Sequence, residues 1–313
     1  MTRPATRISM RLPQTFDANW LLGFLRRRQA PAIEVIDDRS ITKGIRLGGR
    51  TAFLRIDLDG PRLQATCSAP VDVHSLRALV RQMLDLDADL DAFARHTRRD
   101  PFLARLVRAR PGLRVPQFLD PFECVVRAMI GQQVSVRAAS TLVNRIAAAF
   151  ASPAAPAPHA DPAGSRPAGA HSRPPSPRTV NAGSALQLMP FPTAADLAAS
   201  SPNRLRQLGL TGARSRALHA VAVAVTEQRI NLESLRRVPG DEAQAALDAL
   251  PGIGPWTAAY IRMRALGDRD AFPASDLGVL RALGADAATA ERRSEAWRPW
   301  RAYAVMHLWA AEA

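Results

Sequence analysis

Between Leu250 and Ala265 the chain reads LPGIGPWTAAYIRMRA, two glycines and two prolines set between helix-forming runs. Gly252 can take a positive φ without steric penalty. Gly254 leaves no side chain over the amides that open the next helix. Those amides are unpaired donors at the positive end of a helix dipole, a seat for a phosphate. Carbonyls of the same turn point elsewhere, where they can hold a monovalent cation. A plain Pro-Gly packing turn is the alternative. Trp256 and Tyr260, four positions apart, present one aromatic helix face. Farther on, FPASDLGVLRAL puts Asp276 22 positions after Gly254 and near a helix start, where an anion is favoured. An ordinary helix cap, a role Ser275 could equally take, is the competing reading.

Other chemistry is sparse. Of 42 Lys and Arg residues one is lysine, Lys43, so a lysine nucleophile has a single side-chain candidate. Cys67 and Cys124 lie far apart, the six histidines are scattered, and no metal-ligand spacing appears. The formal charge of +14 and pI near 11.4 point to a polyanionic partner, either nucleic acid or an anionic membrane surface. No apolar run approaches the roughly 20 residues of a spanning helix, and MTRPATRISMRLPQ lacks a secretory apolar core. A soluble cytoplasmic protein is expected.

The elements that must position these residues fall into two kinds. IEVIDD, SITKGIRLG, TAFLRIDLDG and RLQATCSA read as strands of an antiparallel sheet, with LGG and LDG as tight turns. ANWLLGFLRRR, with Trp20, Leu21, Phe24 and Leu25 at helical spacing, should cover one face. From His74 onward the pattern is helical, and Asp120, Pro121 and Glu123 look like an N-cap, a first-turn proline and a capping acid. Residues 151–185 hold eight of the 25 prolines, no aromatic residue and one branched aliphatic, Val180. Such a segment reads as a disordered insertion, either inert or a basic tail. Lengthening a loop costs only about 0.6 kcal/mol per doubling, so the helices around it can share one domain. The fold class is α+β. Its parts are a sheet domain over residues 1–90, a helical hairpin domain over 112–267, and a second helical part joining 91–111 to 268–313. An active cleft should lie between the two helical parts.

LPGIGPWTAAY followed by FPASDLGVLRAL resembles the helix-hairpin-helix/Gly-Pro-Asp superfamily of base-excision DNA glycosylases, in which an essential aspartate follows the hairpin. FDANWLLGFLRRR, ARPGLRVPQFLDPFECVVRAMIGQQVSV and WRPWRAYAVMHLW are similar, in the same order, to segments of its DNA-3-methyladenine glycosylase II family. The likeness covers nearly the whole chain except the 151–185 insertion. It implies that Asp276 is catalytic and that Phe24, Trp256, Tyr260 and Trp309 form a base pocket, though core packing would explain each aromatic too. It implies DNA contacts from Gln133, Gly252, Ile253, Gly254 and Thr257, and a cation on the carbonyls of Asp248, Leu250 and Ile253. Where known members have Gln-Leu, with leucine wedging the gap left by the flipped base, this chain has Gln132-Gln133. An amide there loses apolar stacking and can hydrogen-bond the opposite base instead.

The implied chemistry is hydrolysis of the bond between base and deoxyribose. A carboxylate facing the sugar stabilises the positive charge that forms there and orients water. A flipped alkylpurine carries positive charge and suits electron-rich aromatic walls, each contact worth about 0.5–2 kcal/mol. Lyase-competent relatives place lysine two residues after the second hairpin glycine, where this chain has Trp256. The expected enzyme is therefore a monomer that excises alkylated bases from double-stranded DNA, leaves the strand uncut and needs no cofactor. An oxidised-purine glycosylase would want that lysine. A non-catalytic hairpin module would explain the charge but not Asp276 with an aromatic set, and a membrane-surface protein would share only the charge.

Overall fold

The computed structural model describes residues 5–150 and 188–312. The 151–185 insertion lies outside the described residues. Five strands form one antiparallel sheet in the order β1-β5-β4-β3-β2: β1 Thr6–Arg11, β2 Glu34–Ile36, β3 Ser40–Leu47, β4 Arg50–Asp59 and β5 Arg62–Cys67. The LGG turn between β3 and β4 places Gly48 at φ 55° and Gly49 at φ 76°, the paired left-handed conformation of a two-residue hairpin. Strand β1 was not among the expected strands. Its inward set is only Ile8 and Met10, alternating with Arg and Ser, and its partner β5 supplies the remaining order through the Thr6 to Cys67 register.

Strict alternation along β4 turns Ala52, Leu54, Ile56 and Leu58 to one face. That face packs on Leu21 and Leu22 of α1 (Ala18–Arg26) and on Leu76, Val80 and Met83 of α2 (Val73–Met83). Trp20 and Phe24 of α1 belong instead to a second core, with α3 (Leu90–Thr97), α4 (Pro101–Ala109), α12 (Leu277–Leu283), α13 (Ala287–Ser294) and α14 (Arg301–Ala311). A third core gathers α5 (Pro121–Gly131), α6 (Val136–Phe150), α7 (Ala194–Ala198), α8 (Pro202–Gln207), α9 (Gly212–Thr226), α10 (Gly240–Asp248) and α11 (Pro255–Arg264). One short helix thus touches two cores, and that fixes the aromatic face of α1 against the helical body.

Asp120 caps α5 through Phe122 N at 2.8 Å, with Pro121 in the first turn, as its sequence suggested. Glu123 is not a capping acid. It is buried and reaches Lys43 Nζ at 2.8 Å and Arg127 Nε at 2.9 Å. Glu34 closes the set, accepting from Lys43 at 3.0 Å and from Arg127 Nη2 at 2.6 Å. Glu34 and Lys43 face each other in the β2–β3 register, so the sheet itself assembles half of this cluster. Burial alone would push the Glu34 carboxyl up, but Arg127 and Lys43 override it and hold it down to about 2. Burial likewise opposes the Lys43 charge, and Glu123 and Glu34 reverse that, raising its pKa.

Candidate active site

The sequence LPGIG builds the hairpin between α10 and α11. Gly252 sits at φ 77°, and a Cβ there would come within 2.7 Å of the Ala217 Cβ, so both the conformation and the packing demand glycine. Gly254 opens α11 at φ −105° with no side-chain cap, and a Cβ on it would meet nothing within 4 Å. The amide end of α11 therefore faces open space. Ile253 and Thr257, two of the expected DNA contacts, turn their side chains inward, which leaves their backbone groups for such a contact. Ile253 is buried in the third core, and the Thr257 hydroxyl, also buried, accepts from Gln132 Nε2 at 2.7 Å. Gln132 also donates to the Gly252 carbonyl at 2.9 Å, and its own carbonyl accepts from Arg214 Nη2 at 2.7 Å. This tie between the α5–α6 loop and the hairpin was not anticipated. Gln133 follows it, exposed and at φ 57°, a left-handed conformation uncommon for a residue with a side chain.

At the turn, the Leu250 carbonyl accepts from Ile253 N at 3.2 Å. A carbonyl has two lone pairs, so this bond leaves one for a cation. Among the described residues no group of His, Cys, Asp or Glu could hold a metal ion, and Cys67 and Cys124 are free and buried.

Beside the hairpin lies a cleft of about 1230 Å³ whose walls come from α1, the α5–α6 loop, α11, α12 and α14. All four expected aromatic residues meet in it. Trp256 stacks on Tyr260 with centroids 5.5 Å apart, Tyr260 lies 6.3 Å from Trp309, and Trp309 lies 6.1 Å from Phe24. Phe24 is almost covered, 1% exposed, because Trp20 stacks on it at 4.9 Å and the Arg28 guanidinium carbon lies 3.8 Å from its ring centre. Trp256, Tyr260 and Trp309 are only partly buried and supply the open aromatic surface.

Asp276 stands in the same cleft as the N-cap of α12. The capping and site readings of this residue describe one geometry. Oδ1 accepts from Gly278 N at 2.9 Å, from Val279 N at 3.1 Å and from Trp309 Nε1 at 2.8 Å. Oδ2 accepts from Trp256 Nε1 at 3.0 Å. Every one of these donors is neutral, so the hydrogen bonds fix the direction of the carboxylate without pairing it to a cation. A Cβ on Gly278 would come within 2.9 Å of Trp309 Cδ1, which is how close the indole must approach to reach the acid. Leu277, next in the chain, is 65% exposed at the cleft.

Two arginines that sequence reasoning did not single out also line or back this aromatic set. Arg264 is buried, donates from Nε to the Pro116 carbonyl at 2.7 Å, and lies 5.0 Å from the Phe24 ring centre. Arg28 lines the cleft. The available signal was spacing, since Arg28 falls four positions after Phe24 and Arg264 four after Tyr260.

Residues 6–120 match the family described as the AlkA N-terminal domain, and residues 126–300 match the HhH-GPD superfamily of base excision DNA repair proteins. The chain is 31% identical to DNA-3-methyladenine glycosylase 2 of Escherichia coli over 95% of its own length and 94% of that protein's. It is 34% identical to a probable bifunctional transcriptional activator/DNA repair enzyme AlkA of Mycobacterium tuberculosis over 98% of this chain, but spans only 58% of that relative's length. Its fold is that of the 3-methyladenine DNA-glycosylase from Archaeoglobus fulgidus, with a TM-score of 0.77 at 21% identity over 97% of this chain and 98% of the other. Hairpin, capped aspartate and aromatic cleft thus occur in a chain that belongs to the HhH-GPD superfamily of base excision DNA repair proteins.

Proposed function

We propose that the protein is a monofunctional DNA glycosylase that hydrolyses the N-glycosidic bond of alkylated bases, 3-methyladenine and related alkylpurines among them, in double-stranded DNA. The observation that carries this reading is the Asp276 carboxylate, held in an aromatic cleft by neutral N–H donors alone. As the bond to the base breaks, positive charge grows on the sugar. A carboxylate that no cation has neutralised stabilises that charge and orients the water that attacks. The open faces of Trp256, Tyr260 and Trp309 receive the flipped base, and the name of the 31% identical relative, DNA-3-methyladenine glycosylase 2, supports alkylated bases as the class it takes.

The hairpin holds the DNA backbone. Its glycines, Gly252 and Gly254, let a phosphate reach the amides at the start of α11, while Ile253 and Thr257 serve from inside by packing and by anchoring Gln132. Carbonyls of Asp248, Leu250 and Ile253 would hold a monovalent cation that adds positive charge beside that phosphate. Gln133, presented by the Gln132 tie, fills the gap left by the flipped base. Strand cleavage through a Schiff base is not part of the reaction. Lys43 is buried and paired with two carboxylates, and Trp256 occupies the position where lyases carry lysine. The enzyme acts as a monomer in the cytoplasm, on nucleoid DNA.

Methylated duplex DNA incubated with the protein should accumulate abasic sites without strand breaks, and borohydride should trap no covalent complex. Binding without abasic sites would make the protein a non-catalytic hairpin module.

A further inference from the structure

Arg27, Arg28, Arg127 and Arg281 line the cleft, and among the described residues only Arg127 of these forms an ion pair. Arg127 is consumed by Glu34 and Glu123, and Arg264 is held by the Pro116 carbonyl and the Tyr260 hydroxyl, the latter at 3.3 Å. Arg28 is different. Its guanidinium lies over the Phe24 ring at 3.8 Å, its Nη1 donates to the Phe24 carbonyl at 3.1 Å, and among the described residues no ion pair engages it. A guanidinium has five N–H donors in one plane, so most of this edge is unspent. Burial lowers its pKa to about 10, Tyr260 and Asp276 working against that fall and Arg264 adding to it. The group therefore remains a cation at neutral pH.

We infer that Arg28 donates hydrogen bonds to the departing base and equips the cleft to excise uncharged bases that carry a ring nitrogen or carbonyl oxygen acceptor. The inference rests on the glycosylase reading and adds a second charge to it. When the bond between C1′ and the base nitrogen breaks, its electron pair stays on the base. Water oxygen bonds to C1′, one water proton leaves to solvent, and a solvent proton returns to the base nitrogen. Arg28 keeps its own protons throughout. Asp276 then faces the positive sugar while Arg28 faces the base. A neutral base departs with negative charge, which a guanidinium stabilises strongly because a charge-assisted bond forms only as the charge appears. A cationic alkylpurine departs neutral, so Arg28 gives it little, and their like charges oppose each other before the reaction. The aromatic walls and Arg28 thus favour opposite substrate classes within one cleft.

The test compares single-turnover excision of hypoxanthine, a neutral base, with that of 7-methylguanine, a cationic one, in duplex DNA by the full chain and by Arg28→Gln. The hypoxanthine rate should fall about ten- to a hundredfold, while the 7-methylguanine rate changes less than about threefold or rises. Arg28→Lys, which restores a charge without the planar fork, should recover part of the hypoxanthine rate. Both rates come from one preparation, so any loss of folded protein scales them alike and leaves their ratio unchanged. An equal loss on both substrates would make Arg28 a mere prop for Phe24 and overturn the inference. So would a parent protein that excises 7-methylguanine but not hypoxanthine. A parent that excises neither base removes the glycosylase reading itself, and this inference with it.

Discussion

Two regions of this protein hold carboxylates in opposite ways. At the seam between sheet and helices, Glu34 and Glu123 are closed into a ring with Lys43 and Arg127, charge against charge. In the cleft, Asp276 is held as firmly, but by two backbone amides and two indoles. The first arrangement spends the charge on structure. The second fixes the position of the oxygens and leaves the charge available. A carboxylate meant to meet a positive sugar must be of the second kind, and the one lysine of the chain sits in the first. Asp100, held by Phe102 N, Leu103 N and the Trp297 indole, shares the neutral-donor pattern but does not line the cleft, so what sets Asp276 apart under the proposed reaction is that pattern together with its place in the cleft.

Opening the ring should produce the largest effect on stability. Removing one partner leaves an uncompensated buried charge, so Lys43→Met should lose about 3–5 kcal/mol in urea unfolding, with excision per folded molecule unchanged. Loss of excision in folded Lys43→Met would instead place chemistry in the seam. On the other side of the comparison, Trp256→Phe and Trp309→Phe each delete one donor to Asp276 while keeping an aromatic wall. Each should slow excision about ten- to a hundredfold, and by the same factor for charged and neutral bases, because the sugar charge is common to both. A loss confined to cationic bases would mean that the indoles act only as walls.

A smaller effect sharpens the contrast through pH. Among the described residues no cation forms an ion pair with Asp120, and burial together with the neighbouring Glu123 charge raises its carboxyl to about 6. Its folded pKa is above its unfolded one, so the stability it contributes is full below about 3.8 and is lost as pH rises through about 6. Asp120→Asn keeps an acceptor for Phe122 N and should remove that loss, gaining about 1 kcal/mol at pH 7 and nothing at pH 4 in parallel unfolding curves. Glu34 has the opposite sign. Its folded pKa near 2 gives stability that is full above about 4.5 and lost as pH falls through 2.

What could be read from the sequence was what is local. Gly252, Gly254 and Asp276 announce themselves through glycine and proline punctuation and fixed spacing, and the hairpin helices followed. The same Asp-Pro-Phe signal that marked α5 at Asp120 also starts α4 at Asp100, where Asp100 accepts from Phe102 N at 2.9 Å. Sequence reading places α4 inside the helical part over 91–111 but does not single out Asp100 as its cap, since the helix has only nine residues and a short apolar face. Long-range pairings were not legible. Glu123 meets Lys43 80 positions away, and the Trp309 indole meets Asp276 across 33, separations that no local sequence pattern signals. Ile253 and Thr257 sit within the hairpin motif, yet only packing shows that their side chains turn inward.

The central claim is that Asp276 contributes its charge. Asp276→Asn retains an oxygen for the α12 amides and nearly the same volume, so the fold and DNA affinity should stay within about threefold of the parent. Single-turnover excision of an alkylated base from duplex DNA should fall by about a thousandfold or more, the loss expected when charge stabilisation of a transition state is removed. Excision at the parental rate by the folded, DNA-binding Asn variant would contradict the account and leave Asp276 as a helix cap alone.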